Sequence, residues 1–252
     1  MPRVLILGGT TEASALAEAL AGDARFTPLL SFAGTTHAPR PPPVAWRVGG
    51  FGGVVGLAGF LRREAFDVLL DATHPFAARM KRHAAAAAAL AGIPALGVLR
   101  PGWRAVDGDR WAMVAGMAEA ARVLGVEPRR VLLTIGQKDL AAFQAAPWHR
   151  YVVRSVDPPD AASLPPDATV IAARGPFREA DEMALLAERG IEVVVTKNSG
   201  GTATQAKLAA ARRLGLEVVM VARPSPPDMP TVEDAGAALR WLEGHAATPR
   251  GV

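Results

Sequence analysis

A chain of 252 residues, half of them hydrophobic, is long enough to bury one large or two small cores. It has no cysteine, which excludes disulfides, thiolate nucleophiles and Cys-ligated zinc or iron–sulfur sites, and its histidines (37, 74, 83, 149 and 245) lack ligand spacing, so no metal is expected. A net charge of +4 and a pI near 10.1 suit an anionic partner, but the basic residues are scattered without interleaved aromatics, which argues against nucleic acid.

From the N-terminus, strands are predicted at 3–7, 27–31, 44–48, 67–72 and 95–99, alternating with helices at 11–21, 54–65 and 76–91. Such alternation reads as a parallel, doubly wound sheet. Arg100-Pro101-Gly102 breaks the pattern and marks a boundary, giving a domain over 1–101 and a second, smaller one over 102–252. In the second, strands are predicted at 130–135, 150–156, 168–173, 192–196 and 217–222, and helices at 116–125, 138–145, 177–189, 202–214 and 231–243. Gly22, Gly190, Gly215 and Gly244 stand where helix C-caps belong, and Thr231, Glu233 and Asp234 read as the acidic first turn of the last helix. The expected fold is α/β: two Rossmann-like domains with parallel sheets, ligands bound outside the strands' carboxyl ends and the active site in the interdomain cleft. No apolar run reaches the ~20 residues of a membrane span, and the N-terminus does not read as a signal peptide. A cytoplasmic protein without a membrane partner is expected.

The turn Gly8-Gly9-Thr10-Thr11-Glu12 joins the first strand to a helix start. It aims backbone N–H groups at one point, where a phosphate can sit. It departs from G-x-G-x-x-G, since Thr10 stands for the second glycine and Ala13 for the third; alanine there still permits close helix–strand packing. NAD sites carry an acid about 20 residues past the turn for the ribose 2′-hydroxyl. Here no carboxylate occurs between Asp23 and Glu64. Ser31, Gly34, Thr35 and Arg40 would meet a 2′-phosphate without repulsion, which favours NADPH over NADH.

Gly49-Gly50-Phe51-Gly52-Gly53 either brings backbone close to a ligand or forms a plain turn. Asp71-Ala72-Thr73-His74-Pro75-Phe76 ends the fourth strand, with Pro75 suited to the first turn of the next helix and Thr73 and His74 at the strand's carboxyl edge. Arg79, Lys81 and Arg82 oppose the dipole of that helix; they form either a solvated face or the seat of an anion. Only four of the 28 basic residues are lysines. Two of them lie in loops that follow strands and open helices, Thr134-Ile135-Gly136-Gln137-Lys138 and Thr196-Lys197-Asn198-Ser199-Gly200-Gly201. A lysine beside a glycine-rich helix start suits an anion.

Together, Gly8–Glu12, Ser31-Phe32-Ala33-Gly34, Gly49–Gly53, Asp71–Ala77 and Thr196–Gly200 resemble the precorrin-6A reductase family of cobalamin biosynthesis, over residues 3 to about 225. The chain departs from the family where members often carry an arginine after Ser-x-Ala-Gly; Thr35 stands there, and Arg40 becomes the substitute. The resemblance implies an oxidoreductase that uses NADPH to reduce one double bond of a carboxylate-rich tetrapyrrole, precorrin-6A, to precorrin-6B. It implies a first domain holding NADPH through Gly8, Gly9, Thr10, Thr11, Glu12, Ser31, Gly34, Thr35, Arg40, Gly50, Phe51, Gly52, Thr73, His74 and Pro75. Arg79, Lys138, Arg174, Lys197, Ser199 and Gly200 would hold the substrate, and His74 would act as proton donor. Neighbouring pathway enzymes are the implied protein partners of a monomer or weak oligomer. Another NADP-dependent reductase, or a nucleotide- or tetrapyrrole-binding protein without turnover, remains the alternative. A short-chain dehydrogenase needs a Tyr followed four residues later by Lys, whereas the single tyrosine, Tyr151, precedes Arg154 and Ser155.

Overall fold

Aliphatic runs with no polar face make strands that need covering on both sides, and such strands assemble as parallel sheets. In the computed structural model, which describes residues 1–34 and 41–246, they form two six-stranded sheets. One sheet belongs to a unit made of Met1–Pro101 and the tail from Pro224; the other belongs to Gly102–Arg223.

The first unit begins with β1 (Arg3–Leu7), α1 (Thr11–Leu20), β2 (Thr27–Phe32), β3 (Ala45–Val48), α2 (Gly53–Arg63), β4 (Val68–Asp71), α3 (Ala78–Ala91) and β5 (Ala95–Val98). Residue alternation along β1 divides the core. Val4 and Ile6 join Leu16, Leu30, Leu70 and Leu96 on one face; Leu5 and Leu7 join Leu57, Leu61 and Leu69 on the other. The alanine run of α3 buries Ala84, Ala87 and Ala88 in that second face. Gly92, at φ +73°, ends the helix with its N–H on the carbonyls of Ala88 and Ala89.

The second unit contains β6 (Arg110–Val114), α4 (Met117–Val123), β7 (Arg130–Thr134), a 3₁₀ segment over Gln137–Ala145, β8 (Arg150–Ser155), β9 (Ala168–Ala172), α5 (Glu179–Glu188), β10 (Val193–Lys197), α6 (Ala206–Arg213) and β11 (Glu217–Val221). Its strand order is β6-β11-β10-β7-β8-β9, all parallel. Leu132, Val194, Val218 and Met220 form one core with Leu186 and Leu208. The sequence reading misses β6, an edge strand paired only with β11, whose Met113 stays exposed. It also expects an α-helix where 137–145 is 3₁₀.

The tail corrects the expected boundary. Past Arg223 the chain rejoins the first unit, so the second unit ends there rather than at 252. β12 (Thr231–Val232) pairs with β5, through Gly97 N–H to Pro230 O at 2.8 Å and Leu99 N–H to Val232 O at 2.8 Å. α7 (Ala235–Ala246) then buries Ala238 and Leu242 against the α1 side of the core. The completed order is β12-β5-β4-β1-β2-β3. The last helix thus starts at 235 rather than 231, with the Asp234 carboxylate accepting from Ala237 N–H at 2.7 Å. Gly244 lies inside it, and α1 ends on Ala21 in right-handed geometry, so neither Gly244 nor Gly22 caps a helix. Gly190 and Gly215 do follow α5 and α6 at φ +58° and +66°.

Candidate active site

In the first unit β1 lies between β2 and β4, so the sheet reverses its winding there, where doubly wound folds bind their ligands. Gly8, Gly9, Thr10, Ser31, Gly34, Gly50, Phe51, Gly52, Thr73, His74 and Pro75 all fall at the carboxyl ends of β1–β4. Gly8 is needed for space: a Cβ there would meet Leu30 Cδ1 at 2.6 Å, and Gly9 sits at φ +113°. Gly8 N–H bonds to Ser31 O at 2.9 Å, tying the turn to β2. Thr35 and Arg40 lie outside the described residues.

Several hydroxyls expected to face a ligand are used internally. Thr10 caps α1 by accepting from Ala13 N–H at 3.2 Å, and its own proton goes to Ala72 O at 2.7 Å. Thr73 Oγ1 donates to Asp71 Oδ1 at 2.6 Å. Thr10 therefore brings its backbone to the turn rather than its hydroxyl, while Thr11 is exposed at the first helical position. Glu12 is matched by Arg100 at 2.6 Å. Partial burial pushes its carboxyl up, but its own backbone N–H and the Arg100 guanidinium outweigh that and hold it below its ordinary value.

The β4 loop is braced from below. Asp71, fully buried, accepts from Thr73 N–H at 3.0 Å and from Lys81 Nζ at 3.3 Å. Lys81 thus turns inward, and of the basic cluster only Arg79 and Arg82 stay exposed. His74 Nδ1 accepts from Phe76 N–H at 3.2 Å, which places the proton of a neutral ring on Nε2. Pro75 is buried in a turn before the N-cap Ala77, not inside α3.

In the second unit, Lys138 follows β7 and Lys197 ends the adjacent β10. Lys138 is exposed. Lys197 is ion-paired with Asp139, a partner the sequence reading does not name. Arg174 is exposed after β9, two strands from β7. Ser199 is buried, with its N–H on Lys197 O at 2.7 Å, and Gly200 and Gly201 follow at φ +65° and +78°. Trp103 anchors this loop. Its backbone N–H donates to Asn198 Oδ1 at 2.7 Å, Asn198 Nδ2 donates back to Trp103 O at 3.0 Å, and its indole N–H reaches Gly201 O at 2.9 Å. Tyr151 is buried, its hydroxyl donating to Ala146 O at 2.8 Å, and burial pushes its phenol above the ordinary value. It serves the core.

Sequence reasoning also misses Arg47. This half-buried side chain donates to Ser31 Oγ at 2.9 Å, to Gly49 O at 3.0 Å and to Gly50 O at 3.2 Å, and lies over the Phe51 ring at 4.3 Å. Its position as the last charge before a glycine tract is a signal that could have been read.

No helix among the described residues is long and apolar enough to cross a membrane. A family profile described as Precorrin-6x reductase CbiJ/CobK matches residues 3–243. A precorrin-6A reductase from a Sinorhizobium species is 53% identical over 245 residues, spanning 96% of this chain and 94% of the relative. The precorrin-6A reductase of Rhodobacter capsulatus is 47% identical over 252 residues and 100% of both chains; that of Mycobacterium tuberculosis is 42% identical over 247 residues, 97% of this chain and 98% of the other. A solved structure of a CobK precorrin-6A reductase matches with a TM-score of 0.93 at 47% identity, over 100% of both chains. The chain belongs to the precorrin-6x reductase (CbiJ/CobK) family.

Proposed function

We propose that this chain is a cytoplasmic precorrin-6A reductase that uses NADPH to reduce one double bond of precorrin-6A, giving precorrin-6B. The observation that carries the reading is the glycine-turn edge of the first unit, free of carboxylates from Leu29 to Gly34, in a chain whose full-length relatives are named precorrin-6A reductases. The donor chemistry fits the cofactor: backbone N–H groups at the start of α1 suit a diphosphate, and the acid of that turn, Glu12, is paired with Arg100.

In this reading Gly8–Glu12 hold the diphosphate. Ser31 and Gly34 face the adenosine ribose, with Thr35 and Arg40 assigned to it from the sequence alone, while Gly50, Phe51 and Gly52 line the same edge. NADPH, when bound, supplies the hydride. The chain's work is to orient and to manage a proton. Thr73 and Pro75 fix the loop that carries His74, which in its protonated form gives one proton to the carbon next to the reduced one and is left as the neutral ring. Lys138, Arg174, Lys197, Ser199, Gly200 and Arg79 bind the substrate's carboxylates. His74→Ala is expected to lower kcat by roughly 100-fold or more; unchanged turnover would remove His74 from this role.

The test is titration with NADPH and NADH, followed by precorrin-6A, reading absorbance of the reduced nicotinamide. Oxidation of NADPH, with little of NADH, is expected. Tight NADPH binding without oxidation would overturn the substrate assignment, and binding of neither would overturn the nucleotide site.

A further inference from the structure

We propose that Arg47 sets the cofactor preference by taking the 2′-phosphate of NADPH at the carboxyl ends of β2 and β3. The proposal rests on the reading that the first unit binds NADPH. Ser31 stands one residue before the end of β2 at Phe32, and its partner in the sheet register is Arg47. In a doubly wound fold this strand end meets the adenosine ribose, where an acid selects the 2′-hydroxyl and an arginine accommodates the phosphate.

The guanidinium is held before any ligand arrives. Nη1 donates to Ser31 Oγ and Gly49 O, Nη2 donates to Gly50 O, and the guanidinium carbon lies 4.3 Å from the Phe51 centroid and 5.3 Å from that of Phe60. These contacts fix position without neutralising charge: the oxygens belong to a hydroxyl and two carbonyls, and among the described residues no carboxylate pairs with Arg47. Two other cations near the same unit's carboxyl edge are already matched, Arg100 by Glu12 and Lys81 by Asp71, while Arg79 and Arg82 are exposed at the start of α3. Arg47 is thus a half-buried, pre-oriented cation that no carboxylate among the described residues neutralises. A guanidinium has five donors in a planar fork that suits a phosphate.

A brace and a specificity residue predict different losses. We would measure by calorimetry the Kd of wild type, Arg47→Gln and Arg47→Lys for 2′,5′-ADP, 5′-ADP, NADPH and NADH. If Arg47 takes the 2′-phosphate, Arg47→Gln weakens 2′,5′-ADP and NADPH by roughly 10- to 100-fold, the range of a charged hydrogen bond. NADH and 5′-ADP stay within about threefold, and Arg47→Lys falls between. Equal loss for NADPH and NADH would overturn the proposal and leave Arg47 a brace of the glycine loop. Loss shared by 5′-ADP would assign it to the diphosphate, which also overturns it. Wild type that binds NADPH tightly while Arg47→Gln keeps full preference overturns this inference alone; wild type that binds no nucleotide overturns the cofactor reading with it. Arg47→Lys keeps the charge and guards against a glutamine variant that fails to fold.

Discussion

Each unit hides charge beneath a loop of its carboxyl edge, and the two do so differently. In the first, Asp71 and Lys81 form a balanced pair, one anion and one cation, with Thr73 supplying two more hydrogen bonds to the carboxylate. In the second, Glu182 (2% exposed) is paired with Arg154 (7%), and Lys207 (3%) adds a second cation. Among the described residues Glu182 Oε2 has no hydrogen-bond partner. Arg154 also lies over Phe177 at 4.0 Å. Lys207 donates to Thr204 O at 2.6 Å and sits 4.7 Å from the Trp103 ring. Burial, and then the Arg154 charge, lower Lys207 to about 7, against the opposing pull of Glu182. A balanced pair ties its loop to geometry alone. A cluster with a surplus cation ties its loop to the proton equilibrium of one lysine.

The largest expected effect breaks the second cluster. Glu182→Ala leaves two cations buried without an anion and is expected to destabilise the second unit by roughly 3–5 kcal/mol. Hydrogen exchange should show protection lost in 198–205, with the first unit unaffected; protection lost equally in both units would dissolve the comparison. Asp71→Asn comes next, at about 2–3 kcal/mol, because the amide can keep one bond to Thr73 while Lys81 loses its counter-charge. Its loss of protection should be confined to 72–77 and the start of α3.

Lys207→Met sharpens the contrast through pH. The folded value of about 7 lies below the ordinary 10.5, so between these the unfolded chain binds the extra proton. Wild-type stability therefore rises with pH across that window, by up to ~1.4 kcal/mol per unit from this group. The penalty is fully present only below pH 7 and is gone above about 10.5. The methionine variant should flatten that slope in urea melts and gain about 1–3 kcal/mol at pH 7, the loss of the Thr204 bond offsetting part of the relief. An unchanged slope would show that Lys207 is not the titrating group.

The smallest effect lies at the surface of the second unit. Lys197→Ala is expected to raise KM for the tetrapyrrole by about tenfold, one charge-assisted bond, with NADPH KM unmoved. Asp139→Asn, which unmasks the same lysine, should lower that KM; a rise in both would make the ion pair a structural strut.

The strands were legible because buried parallel strands are nearly all aliphatic, as Val4–Leu7 and Val193–Val195 show. The glycine turns were legible because Gly8, Gly9, Gly200 and Gly201 occupy geometry or space that other residues resist. The charge clusters were not legible. Asp71 and Lys81 stand ten residues apart, Arg154 and Glu182 twenty-eight, and no periodicity joins them; the fold alone brings them together. Lys81 and Thr10 looked available for a ligand because a sequence does not say which way a polar side chain turns. The destination of the tail was equally hidden. Thr231-Val232 is too short to stand out as a strand, and an apolar helix face such as that of α7 fits either sheet.

That tail makes the second unit an insertion into the first. Its two ends, Gly102 and Arg223, lie side by side: a Cβ on Gly102 would stand 3.5 Å from the Arg223 guanidinium carbon. Gene order is therefore not domain order. A premature stop at the end of residue 223 would spare every strand of the inserted unit and remove an edge strand and a core helix from the unit around the glycine turn. Conversely, excising 102–223 and rejoining the ends with a short linker would keep all six strands of the outer sheet on one chain.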